Sequence, residues 1–102
     1  MRVHTVWSGW TTGSFTTSGT FVLDPTKTYL VTGGTTNNDG GYSHAYISMV
    51  CHGTGPVLCG VRDTVDDFKL VLNEILNNTL YFTLKIKSDG GRHQAEGVIY
   101  EL

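Results

Sequence analysis

Apolar and polar residues change places at every second position along much of this chain. Over 80–87, Leu80, Phe82, Leu84 and Ile86 fall on one side, with Tyr81, Thr83, Lys85 and Lys87 on the other. Over 43–51, Ala45, Ile47, Met49 and Cys51 alternate with His44, Tyr46 and Ser48. A period of two predicts half-buried β-strands. The same pattern sets Val3, Thr5 and Trp7 against His4 and Val6 over 2–8, and gives residues 94–102 an inner face of Ala95, Gly97 and Ile99. Shorter apolar runs at 20–23, 28–32, 57–62 and 68–72 complete the series, and Phe15 is a candidate for a short extra strand. One helical assignment competes, over 65–76, with Phe68, Leu72, Ile75 and Leu76 as its stripe.

Turn chemistry separates these runs. In Asp24-Pro25-Thr26-Lys27 the proline presets the turn and the aspartate can cap it, so the flanking runs read as a hairpin. Asp89-Gly90 suits a tight two-residue turn, which would pair Lys87 with Arg92, Lys85 with Gln94, Phe82 with Gly97 and Leu80 with Ile99. Residues 33–42, "GGTTNNDGGY", carry no alternation and read as a solvated loop. A third hairpin joins 43–51 to 57–61; matching its faces sets Cys51 opposite Val57 and Met49 opposite Cys59. The cysteines are then diagonal neighbours about 7–8 Å apart, too far for an unstrained bridge, which predicts two buried thiols.

Seven or eight short strands without intervening helices indicate an all-β fold, an antiparallel β-sandwich of jelly-roll type. At 102 residues, 1–102 form a single domain. The net charge of -2 offers no electrostatic attraction for nucleic acid. No apolar stretch approaches the roughly 18 residues of a membrane helix, and no signal peptide opens the chain, so folding in the cytosol is expected.

Catalytic chemistry is sparse. There is no nucleophile elbow and no phosphate loop, and Asp63, Asp66 and Asp67 read as a solvated connection between strands. His4, His44, His52 and His93 lack chelating spacings, and Asn37-Asn38-Asp39 resembles a calcium loop without its later glutamate. No catalytic residue, metal or cofactor is therefore expected. Recognition fits better: Trp10, Asn37, Asn38, Asp39, Tyr42 and His44 are aromatic and short polar groups of the kind that bind sugars or peptides on loops of rigid β scaffolds. The plainer reading of the same residues is an ordinary polar loop with Tyr42 covering the core edge. Trp7 shares its phase with Val3 and Thr5 and reads as a core anchor. Trp10 has no such partner and either covers the end of the sandwich or enters a subunit contact.

The opening "WSGWTTGSFT" and the closing "LYFTLKIKSDGGRHQAEGVIYEL" resemble small β-sandwich modules of tailed-bacteriophage structural proteins, found in tail fibres, baseplate appendages and head fibres. The matching positions are Trp7-Ser8-Gly9 and Gly97-Val98-Ile99-Tyr100-Glu101-Leu102. The resemblance implies a signal-free virion component, made in the host cytoplasm, non-enzymatic, often a homotrimer, in contact with other virion proteins and with a host surface glycan or protein. Tyr81, Val98 and Tyr100 lie opposite in phase to Leu80 and Ile99 and form the candidate subunit interface; the other reading sets them against a second layer of the same chain. Two rivals stay open, a cellular carbohydrate-binding module and a small cytosolic enzyme whose site the sequence does not disclose.

Overall fold

Eight strands follow one another: β1 (Arg2–Thr11), β2 (Thr16–Val22), β3 (Thr28–Asn37), β4 (Ala45–Gly53), β5 (Val57–Val65), β6 (Lys69–Asn77), β7 (Thr79–Ser88) and β8 (His93–Glu101). The computed structural model describes the backbone of residues 1–12, 16–37, 45–53, 57–65, 69–88 and 91–102, and the side chains of 1–12, 19–35, 46–53, 73–88 and 91–102. Two four-stranded sheets pack face to face, one in the order β1-β8-β3-β6 (sheet A) and the other β2-β7-β4-β5 (sheet B). Every pairing is antiparallel. The chain changes sheet at every connection except β4–β5, which is the arrangement of an eight-stranded jelly roll.

The core fills the space between the sheets. Sheet A contributes Trp7, Tyr29, Val31, Leu76, Ala95 and Ile99, and sheet B contributes Ile47, Met49, Cys51, Phe82, Leu84 and Ile86. The alternation in β4, β7 and β8 therefore predicts the inner faces correctly over most of their length. Trp7 is the core anchor that its phase implies, 3% exposed, and its indole Nε1 donates to the Thr32 carbonyl at 3.1 Å.

The structure corrects several expectations. Neither the 24–27 turn nor the 88–91 turn closes a hairpin, because β2 and β7 lie in sheet B while β3 and β8 lie in sheet A. At 24–27 the turn itself forms as expected: the Lys27 amide donates to the Asp24 carbonyl at 3.0 Å, and Asp24 Oδ1 accepts from the Thr26 amide and hydroxyl. Turn chemistry encodes reversal of the chain, and the choice of sheet is made by burial. Phe21 gains Phe82 as its partner in sheet B, their ring centroids 5.0 Å apart, which β3 in sheet A could not supply. Residues 69–77 form a strand rather than part of a helix over 65–76. Asp63 lies within β5, whereas Phe15, Asp66, Asp67, Asp89 and Gly90 lie outside the described residues.

Two bulges break the predicted phase. A register shift between Val3 and Thr5 turns Val3 outward, and another opposite His52 and Gly53 takes Leu80 out of the inner face, so that Leu80 is 38% exposed while Thr79 is buried. A bulge adds one residue to one strand and flips everything beyond it to the other face. The cysteine expectation fails on register. Beyond the shift between Cys51 and His52 the β4–β5 register stands two residues from the one drawn by matching faces, and the bulge accounts for one of the two. Cys51 then stands directly opposite Cys59, and Cys51 is disulfide-bonded. With only two cysteines in the chain, its partner is Cys59.

Candidate functional site

The jelly-roll path sorts the connections between two ends of the sandwich. At one end β1, β3, β5 and β7 finish; at the other lie the turn at 23–27, Asn78 and both termini. Trp10, near the end of β1, and Asn37, the last residue of β3, are separate candidates in the sequence and lie at the same end. The register Thr11–His93–Asn37 across β1, β8 and β3 sets Asn37 two strands from the Trp10 strand, about 10 Å away. The side chain of Asn37, and Asn38, Asp39, Tyr42 and His44 altogether, lie outside the described residues.

Trp10 is 56% exposed on the outer face of β1, with the Arg92 guanidinium 5.0 Å from its ring centroid. An open recess of about 600 Å³ runs beside it, lined by Ser8, Gly9, Trp10, Thr11 and Thr12. Beneath this end lies a buried polar floor of Thr11, Thr35, Ser88 and His93. Ser88 Oγ donates to the Gly91 carbonyl at 2.8 Å, and Gly91 has a φ of 72°, a conformation that glycine adopts without strain. Sequence reasoning missed Arg92 and His93. The turn chemistry at 88–91 points Arg92 to a hairpin pair with Lys87, and a lone histidine gives no spacing signal. Among the described residues, no three His, Cys, Asp or Glu side chains gather as a metal site would require.

The predicted interface residues separate. Tyr81 stands on the outer face of sheet B, where its ring stacks on His52 at 4.4 Å and 19°. Val98 and Tyr100 lie on the outer face of sheet A, so the three do not form one patch.

Charge concentrates at the opposite end. Glu101 pairs with Arg2 and, at 2.8 Å, with Lys27. Hydrogen bonds from Lys27 and then Arg2 hold the Glu101 carboxyl below the usual carboxylate range, and Glu101 in turn raises Lys27. The Thr26 hydroxyl and amide likewise lower Asp24.

No protein-family model matches the chain, and no curated protein matches it in sequence. Solved structures do share its fold. A chain of the T13 particle of infectious bursal disease virus superposes with a TM-score of 0.66 at 11% identity, covering 96% of this chain and 30% of that one. The VP2 subviral particle of the same virus gives 0.61 at 11% identity, covering 95% of this chain and 32% of that one. A CBM4 structure gives 0.54 at 7% identity, covering 100% of this chain and 64% of that one. This chain thus spans about a third of the length of the viral chains. At these identities the likeness establishes the all-β sandwich of jelly-roll type and nothing further about activity.

Proposed function

We propose that this chain is a non-enzymatic structural module of a virus particle, a receptor-binding or surface-attachment unit of the bacteriophage tail or capsid. One observation supports the reading: a chain of a viral particle superposes on 96% of this sequence with the same overall fold. The W-x-G opening and G-x-I-Y ending supply the bacteriophage part. In this reading the module works as a homo-oligomer beside other virion proteins and turns the end where β1 and β3 finish toward a host surface glycan or protein. The Cys51 disulfide fits a protein that is folded in a host and then released into an oxidising exterior.

The test is sedimentation of particles from the producing culture, followed by immunodetection of this chain across the gradient. Co-sedimentation at a fixed ratio to the major particle protein is expected. Detection only at the top of the gradient would refute the proposal.

A second reading, carbohydrate binding, is favoured by the exposed Trp10 indole beside the recess and by the CBM4 likeness. It predicts glycan-array binding that is lost in Trp10→Ala and Tyr42→Ala. An array without signal would end it.

A further inference from the structure

The outer face of sheet A is apolar over its lower half. Val3, Tyr100, Leu30 and Ile75 form one row across all four strands, and Val6 and Val98 begin the next. Val6 is 71% exposed, Val3 55% and Ile75 53%. The upper half is polar, with Ser8, Glu96 and Gln94, and its charged residues, Glu96, Arg92 over the Trp10 ring and Lys69 in the outward register of β6, all lie there, away from the apolar row. Sequence periodicity accounts for the inner face, but among the described residues no side chain from another element covers this outer one.

We infer that this face packs against the same face of a second copy of the chain. Area decides for that occupant. Four strands at about 4.8 Å and ten residues at about 3.4 Å give the whole face, its polar upper half included as rim, a footprint of about 650 Å² per copy. Two such faces bury about 1,300 Å² in total, within the range of specific stable interfaces. A ring of three would divide each face between two neighbours and leave about 650 Å² per contact, the size of adventitious packing. Charge agrees with the pairing, since an isologous contact sets each patch against its own copy and a charge-rich face would repel itself. Two sheets meeting this way interdigitate their side chains about 10 Å apart, as in the interior of a sandwich.

The inference stands on the face itself and does not depend on the virion reading. The test is sedimentation equilibrium of the purified chain, with Val6→Asp/Ile75→Asp as the interface variant and Val22→Asp, on the outer face of sheet B, as the control. All three positions are exposed in the single chain, so the variants keep the fold, which circular dichroism verifies. The expected result is a dimer whose dissociation constant rises about 100-fold or more in the double variant, tenfold per substitution, and is unchanged in the control. A monomer at every concentration, a trimer, or a dimer weakened only by Val22→Asp would overturn the inference. A dimer with this mutational profile whose chain never joins particles would refute the virion reading alone.

Discussion

Replacing Gly33 by alanine tests the packing of the first strand directly. The Trp7 indole lies across β8 and β3 at the register row Trp7–Gly97–Gly33. A Cβ on Gly33 would stand 2.2 Å from Trp7 Cζ2 and 2.8 Å from both Trp7 Cη2 and the Glu96 carbonyl oxygen. Ordinary contact begins near 3.4 Å, so the indole must move by more than 1 Å. It cannot do so freely, being buried and hydrogen-bonded to the Thr32 carbonyl. Overpacking of this kind costs about 1–3 kcal/mol. Breaking the indole hydrogen bond in a buried site adds about 1–3 kcal/mol, and the lower backbone entropy of alanine in a strand returns about 0.5–1 kcal/mol.

The net expectation for Gly33→Ala is about 2–4 kcal/mol of lost stability, measured by urea denaturation. In a Trp10→Phe background, where Trp7 is the sole tryptophan, its emission shifts to the red. The cost must also depend on the indole, so a double-mutant cycle with Trp7→Phe should show coupling above about 1 kcal/mol. A loss below about 1 kcal/mol, or the same loss with phenylalanine at position 7, would refute the packing argument. Gly97→Ala is more severe, because there the Cβ meets backbone: 1.9 Å from the Thr32 carbonyl oxygen and 2.6 Å from the Gly33 Cα. No side-chain rotation relieves that clash, so this variant should fail to fold.

Other expectations follow from the same structure. Replacing Cys51 and Cys59 together by alanine should cost about 2–3 kcal/mol by urea denaturation, from the freedom regained by the unfolded chain, and thiol titration of the unfolded native protein without reductant should find no free sulfhydryl. Glu101 titrates below its ordinary value of 4.5 when folded, so its pairing stabilises the fold above that pH and is lost as pH falls through the lowered value; the stability gap between the native chain and Glu101→Gln should shrink in acid. A gap that stays constant down to acid unfolding would show that the pair contributes nothing. Asn78 links β6 in sheet A to β7 in sheet B with a φ of 55°, so Asn78→Gly should be nearly neutral whereas Asn78→Val costs about 1–2 kcal/mol in thermal melts. Arg92→Ala removes an exposed cation–π contact and should change stability by no more than about 1 kcal/mol, while making Trp10 easier to quench with acrylamide in a Trp7→Phe background.

Period-two alternation made most of the fold legible, because each inner face had to be apolar. It identified Ile47, Met49, Cys51, Phe82, Leu84, Ile86, Ala95 and Ile99 as core residues, all of them buried. Alternation failed at Val3 and Leu80, where a single bulge residue reverses the phase without leaving any compositional trace. It failed for sheet membership too, since a strand of the right pattern can bury its inner face from either sheet. The candidate site was half legible for the same reason. Trp10 and Asn37 could be named as separate candidates, but only the strand order β1-β8-β3 sets the ends of their strands at one end. Tyr81 and Tyr100, similar in sequence character, were separated by that topology.

The two short patterns at the ends of the chain are a single physical unit. Trp7 of the opening W-x-G is the direct register partner of Gly97, the first residue of the closing G-x-I-Y. The indole covers the glycine, and the glycine is the reason the indole can lie flat against the sheet: any side chain there would strike both the ring and the neighbouring strand. Tryptophan at one terminus therefore requires glycine at the other, although 89 residues separate Trp7 from Gly97 in a chain of 102. A third member, Gly33, sits inside a polar glycine-threonine run whose sequence suggests only a loop, yet it extends the same slot by one strand. This packing also explains why β1 carries a tryptophan on its inner face. β1 is an edge strand, held on one side only by β8, and the indole reaching over β8 to β3 ties that edge to the middle of its sheet.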